Sequence, residues 1–219
     1  MDVAHLCSSQ EEADTRLILH SLGAVCRGAT ELYIRSPDTD VFILAIYRYH
    51  QLCRKTYFVT GVGNKKRVIS LGPIVSALGN EKDEALPGFH ALSGADITGR
   101  FAGKGKLTCW QAFSTCSMEV VSAFAALGTS EKLKADTERA IETFVCQLYE
   151  PGSTVVDIGD LRWKPFTKKQ LQAEKLPPTR GALHEAIAGH IIRPWCGVRI
   201  TFLTLTYHHN NLRVEGRGG

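Results

Sequence analysis

The chain has no Cys-x-x-Cys pair, and its seven cysteines are scattered and odd in number. Those absences argue against a zinc knuckle and against a disulfide framework, and they point to a reducing, nuclear or cytoplasmic setting. No stretch reaches membrane-spanning length, and the N-terminus lacks the basic-then-apolar pattern of a signal peptide, so a soluble intracellular protein is expected. None of the eight histidines stands at metal-ligand spacing with a cysteine, and His90, set among apolar residues, reads as a core histidine. No Gly-x-Ser-x-Gly elbow is present, which leaves Ser/His/Asp hydrolysis without support. The Walker spacing of a nucleotide-triphosphate loop is missing too. There is no internal repeat and no long low-complexity segment.

What is present is enough apolar sequence, 44% of 219 residues, for one substantial core with or without an appendage. The net charge of +4 is compatible with a nucleic-acid partner without singling one out. Basic residues gather in three places: Lys65-Lys66-Arg67, Arg100 with Lys104 and Lys106, and Lys168-Lys169. A solvated face explains each group taken alone.

Hydrophobic spacing predicts a helix over residues 9–24, opened by a Ser9-x-x-Glu12 capping box. A short strand, Glu31 to Arg35, ends at the turn Ser36-Pro37, and a second helix starts near Asp38 and runs towards Leu52. Residues 55–62 and 66–71 alternate as strands around Gly63-Asn64, a hairpin turn signal. From Gly72 onward the pattern is mostly helical, with Pro73 suited to a first helical position and Pro87-Gly88 as punctuation. Two further helices are predicted over 110–127 and 131–149, ended by Pro151-Gly152. Residues 153–180, with Pro165, Pro177 and Pro178, read as irregular. A last helix follows over 180–192. Residues 201–207 alternate like a strand within what reads as an untethered tail.

Against this background three acidic signatures occur in order: Glu12-Ala13-Asp14, Asp38-Thr39-Asp40 and Asp96. All fall at the ends of predicted strands or the starts of predicted helices. Ligand sites in α/β sheets gather at the carboxyl ends of strands, where Asp38 and Asp40 stand. Hard cations such as Mg²⁺ require oxygen ligands, and two of them close together drive in-line cleavage of a phosphodiester. The alternative stays open at each position. Asp38 suits an N-cap, Asp40 and Asp14 suit a first turn, Glu12 completes a capping box, and Asp96 suits a cap. Glu12 and Asp14 lie about 200° apart on a regular helix, so both face one cation only at an irregular helix start. After Asp96 comes Gly103-Lys104-Gly105-Lys106, where glycines allow backbone N–H groups to approach an anion and a following helix adds its dipole.

The order of these motifs resembles the flap-endonuclease branch of the PIN-like nucleases. That family carries a Glu-Ala-Glu-Ala helix start, an Asp-x-Asp turn after a strand, and a Gly-x-Asp ahead of a Gly-Ile-Gly-Pro-Lys hairpin of helices. Here the counterparts are Glu12-Ala13-Asp14-Thr15, Ser36-Pro37-Asp38-Thr39-Asp40-Val41 and Gly94-Ala95-Asp96, with Gly103 and Gly105 at the family's distances beyond the aspartate. Asp14 replaces the second Glu, and the Gly-Pro-Lys is not reproduced. The chain is also similar to transposon-associated animal proteins that carry Glu-Ala-Asp-Thr-Arg, Ser-Pro-Asp-Thr-Asp and Gly-Lys-Gly-Lys in sequence. The resemblance covers residues 8–150.

It implies an α/β, partial PIN-like three-layer fold with a short parallel sheet and a helix-rich C-terminal half holding a helical-hairpin DNA-binding element. The implied divisions are 1–95 for the nuclease core, 96–150 for the hairpin region, 151–196 for a helical extension and 197–219 for a divergent tail. Glu12, Asp14, Asp38, Asp40 and Asp96 would hold two Mg²⁺ or Mn²⁺ ions, with Asp38, Asp40 and Asp96 catalytic. Arg100, Gly103, Lys104, Gly105 and Lys106 would grip a DNA backbone without reading sequence. Family enzymes bring further aspartates and basic residues from an N-terminal half, and the first signature here begins close to Met1. The resemblance thus implies a fragment, a chain that has lost catalysis, or a site completed by an upstream segment or protein partner.

Overall fold

Residues Glu31–Arg35 (β1) are extended up to the Ser36-Pro37 turn, and Asp38 then starts the helix Thr39–Tyr47 (α2). A single 3₁₀ turn, Tyr49–Gln51, leads to the strand Lys55–Thr60 (β2), which lies parallel to β1. Parallel neighbours need such a crossover, because a tight hairpin can join only antiparallel strands. The computed structural model that gives this arrangement describes residues 13–94, 101–127, 134–167 and 176–191. Glu12, Asp96, Arg100, the Ser9–Glu12 capping box and the strand and tail expected after residue 196 lie outside the described residues.

Register pairs Glu31 with Lys55 and Arg35 with Val59. A second, antiparallel pairing sets β2 against Arg67–Ser70 (β3), with Tyr57 opposite Ser70 and Thr60 opposite Arg67. The sheet is therefore mixed, in the order β1-β2-β3, and only one pair has the parallel sense expected from the sequence. The Gly63-Asn64 signal falls in the 3₁₀ turn Gly63–Lys65 that joins β2 to β3. Just before it, Gly61 adopts φ +76°, and a Cβ there would stand 2.3 Å from the Lys65 carbonyl oxygen, so both conformation and space demand glycine.

Strand alternation puts Ile34 and Phe58, paired in register, on one face, where both are buried. Helix Ala13–Cys26 (α1) buries Thr15, Ile18, Leu19 and Leu22, a stripe at three- and four-residue spacing, and packs on α2. Helix Leu71–Leu78 (α3) follows β3 directly and packs against β2 through buried Leu71 and Val75. Full burial of a Val, Leu, Ile or Phe side chain stabilises by about 1.5–3 kcal/mol, so these contacts supply the unit's main driving force. The opposite sheet face carries Tyr33 stacked on Tyr57, ring centroids 5.0 Å apart.

Contacts divide the chain into two units, with the residues up to Leu78 in one and Gly79–Arg193 in the other. The described elements of the second are all helices: Asn80–Gly94 (α4), Lys106–Thr115 (α5), Met118–Ala126 (α6), Ala135–Tyr149 (α7), Ile158–Thr167 (α8) and Arg180–Ile191 (α9). Its centre is aromatic. Phe89 of α4 stacks on Phe113 of α5 at 4.3 Å, and Phe124 of α6 meets Phe144 of α7 edge-on at 5.0 Å. His90 is buried in α4, as expected of a core histidine.

Three expectations need correction here. Pro87 and Gly88 do not interrupt the chain: both are buried inside α4. A Cβ on Gly88 would lie 2.2 Å from the Phe124 carbonyl oxygen, so close packing of α4 on α6, rather than turn formation, accounts for this glycine. The helix expected over 110–127 is two helices, because Cys116 and Ser117 turn extended and the Ser117 Oγ caps α6 by accepting from Val120 N at 3.4 Å. The stretch 153–180, read as irregular on its prolines, contains α8. Asp157 Oδ1 accepts from Gly159 N at 2.7 Å and Asp160 N at 3.1 Å, and Glu142 of α7 accepts from Ile158 N at 2.8 Å. These bonds satisfy the first N–H groups of α8 and fasten it to its neighbour.

The molecule is thus mixed α/β and mostly helical, with a small three-stranded sheet. Among the described residues no helix is long and apolar enough to cross a membrane.

Candidate functional site

At the carboxyl end of β1 the chain must leave the sheet and begin a helix within three residues. Ser36, buried, accepts a hydrogen bond on its Oγ from Asp38 N at 3.0 Å. Asp38 has extended dihedrals, φ −85° and ψ 134°, and its Oδ1 accepts from Asp40 N at 2.9 Å. That is the geometry of an N-cap, and Asp40 occupies the first turn that follows. The local chemistry of Ser-Pro-Asp-Thr-Asp explains both positions: proline closes the strand, and the aspartate replaces the missing helical acceptor.

Asp14 comes from the first turn of α1, which packs on α2. Burial raises its carboxyl above the ordinary aspartate value, and the charges of Asp38 and then Asp40 push it further in the same direction. Three of the five expected acids therefore lie within electrostatic reach of one another, delivered by two helix starts at the exit of one strand. Asp38 holds its Oδ1 on its own helix. Among the described residues no group of three or more His, Cys, Asp or Glu side chains is placed to hold a metal ion.

The glycine-lysine segment belongs to the second unit. Gly103 has φ +69°, and Lys104 N donates to Phe101 O at 3.0 Å, closing a tight turn. Gly105 is the N-cap of α5 and Lys106 its first residue. The loop is held by a residue that sequence reasoning missed, Tyr149 at the end of α7. Its hydroxyl donates to Ala102 O at 3.1 Å, and Lys104 Nζ sits 5.0 Å from its ring centroid. Burial first, and then the neighbouring Cys109, push the Tyr149 phenol up to about 12, so it remains a donor throughout the neutral range. The sequence signal for it was only its position, the last residue of a strongly amphipathic helix. Nothing in local spacing links position 149 to position 104.

No protein-family model, curated protein or solved structure matches the chain.

Proposed function

We propose that the chain carries a metal-dependent, nuclease-like site for phosphodiester hydrolysis of DNA, in a unit related to the PIN-like core. The observation that supports this reading is the convergence of Asp14 with Asp38 and Asp40 at the exit of β1, felt by Asp14 as repulsion on top of partial burial. These carboxylates are not placed to hold a metal as they stand. They are hard oxygen donors within electrostatic reach of one another, and a Mg²⁺ or Mn²⁺ ion drawing them together would offset the repulsion that Asp14 feels. Asp14, Asp38 and Asp40 are the described residues that would hold it. A bound ion supplies Lewis-acid stabilisation of phosphate oxygens and lowers the pKa of a bound water. The chain's own contribution is orientation: the Ser36–Asp38–Asp40 bonds fix the Asp38 carboxylate at the end of β1. Lys104 and Lys106 would hold a phosphate backbone electrostatically, without reading bases.

A second reading, a catalytically inactive nucleic-acid- or protein-binding remnant, is favoured by one observation: Asp38 Oδ1 is already committed as a helix cap. Cleavage of flap, nicked and single-stranded DNA with Mg²⁺ or Mn²⁺ separates the two. Asp38→Asn with Asp40→Asn is the informative variant, because asparagine caps a helix about as well as aspartate and the fold is retained. Metal-dependent cleavage abolished by that variant supports the nuclease reading, and cleavage that survives it sinks the proposed site. Salt-sensitive DNA binding without cleavage supports the remnant.

A further inference from the structure

The outer face of α5 sets two large apolar side chains beside lysines. Its inner side, Cys109 and Phe113, is fully buried, whereas Lys106, Leu107, Trp110 and Ser114 recur outward at helical spacing. Leu107 is 71% exposed and Trp110 38%, both high for large apolar side chains. Trp110 is nonetheless fixed from behind. Its ring meets Phe89 edge-on at 6.0 Å and lies tilted against Phe113 at 5.8 Å, both parts of the aromatic centre. An indole braced on one side and open on the other loses little freedom when something stacks on it.

Between Asp96 and Glu119 the charged residues are all basic. Residues 97–118 include Arg100, Lys104 and Lys106 and no aspartate or glutamate. Lys104 and Lys106 stand at the start of α5, and at its far end Lys82 Nζ donates to Ser114 O at 2.6 Å. From Lys106 to Ser114 the helix rises about 12 Å. That is the length of about three nucleotides stacked at 3.4 Å each. Cations bracketing an exposed aromatic surface complement a polyanion that carries flat apolar groups of its own. A duplex keeps its bases closed inside the stack, and only an unpaired strand can lay one on an indole.

We infer that the outer face of α5 is a stacking platform for an unpaired nucleic-acid strand, with Trp110 taking a base and Lys104 and Lys106 the adjoining phosphates. This rests on the nucleic-acid reading above and sharpens it, since it names an unpaired strand over plain duplex. Leu107, beside Trp110, covers the edge of the stacked base.

The test reads Trp110 directly. With Trp163→Phe and Trp195→Phe in the full chain, Trp110 is the sole tryptophan, and its fluorescence is followed while oligo(dT) of about twelve nucleotides is added. Expected are saturable quenching, weaker quenching by a duplex of equal length, and about tenfold weaker binding for Trp110→Leu, with Trp110→Phe close to the parent. Lys104→Ala with Lys106→Ala should lower the slope of log K against log salt by about 1.4. If oligo(dT) binds and the lysine variants weaken it, but Trp110 is not quenched and Trp110→Leu binds equally well, the platform is overturned while the backbone grip stands. If no nucleic acid binds, both fall. Equal quenching by phosphatidylserine vesicles assigns the face to a lipid surface and overturns the inference.

Discussion

Replacing Gly88 with alanine should destabilise the helical unit, and the structure sets the size of the effect. The added Cβ would lie 2.2 Å from the Phe124 carbonyl oxygen, 3.0 Å from Leu127 Cβ and 3.2 Å from the Phe124 carbonyl carbon. Ordinary contact begins near 3.4 Å, so α4 and α6 would have to separate by more than 1 Å. The carbonyl cannot swing aside cheaply, because it accepts a hydrogen bond from Leu127 N at 3.2 Å. Nor can Phe124 move freely, since its ring packs edge-on with Phe89 at 5.8 Å and Phe144 at 5.0 Å. Overpacking of this kind costs about 1–3 kcal/mol, and a backbone obstacle belongs at the upper end. Against it stands the helix-propensity gain of alanine over glycine, about 1 kcal/mol. The net expectation is a loss of about 2 kcal/mol, or a melting point lower by about 4–8 °C for a chain of this size. Circular-dichroism melts and urea titrations read this, with the midpoint shifting and the urea slope unchanged. Gly181→Ala is the control: it lies in α9, a Cβ there would meet nothing within 4 Å, and the change should be neutral or stabilising by up to about 1 kcal/mol. A Gly88→Ala protein as stable as the parent would refute the argument that α4 and α6 meet at this glycine.

Two more outcomes follow from burial and charge. Asp14→Asn should stabilise the fold at neutral pH by less than about 1 kcal/mol, since the site is only partly buried. The sign follows from linkage: the folded-state pKa lies above the ordinary 3.8, so the ionised carboxylate opposes folding above its folded pKa, and that opposition vanishes below 3.8. Melting points of parent and variant should therefore converge as the medium is acidified, and a variant less stable than the parent at pH near 7 would contradict the repulsion. Among the thiols, Cys109 and Cys146 are fully buried, and burial, with nearby acids, pushes Cys146 up to about 11. Iodoacetamide on the native protein should label exposed Cys26 and spare both until denaturant is added, as read by peptide mass spectrometry. Labelling of Cys146 at the rate of Cys26 would show that the helical centre opens readily.

Local chemistry made some elements easy to read. The strand β1 was expected at its observed limits, because Ser36-Pro37 both ends a strand and starts a helix. The β2–β3 hairpin and the helix from Arg180 followed from turn glycines and spacing in the same way. What escaped was decided by tertiary contact. Pro87-Gly88 has the composition of a turn, yet burial of the whole segment from Ala85 to Gly94 keeps it helical. Three prolines made residues 153–180 look irregular, and they outweighed the Asp157-x-x-Asp160 pattern that marks the start of α8. The break between α5 and α6 was signalled only by Ser117, a single cap residue inside an otherwise continuous apolar period.

The acidic positions differ in how far local structure accounts for them. Asp38 and Asp40 are fully explained by the start of α2, and each would be expected there in a protein with no site at all. Asp14 is not explained that way. A first-turn acid gains from its own helix dipole, but this one is partly desolvated and faces two like charges from another helix, which disfavours its ionised form. That placement works against stability, and it is the observation on which the proposed cation site rests. Nor does the cap exclude a ligand role for Asp38, because an ionised carboxylate has about four lone-pair sites and the bond from Asp40 N occupies one of them on Oδ1. The bond instead fixes the direction of the remaining lone pairs. Capping and coordination are thus compatible in Asp38, and the acid that separates the two readings is Asp14.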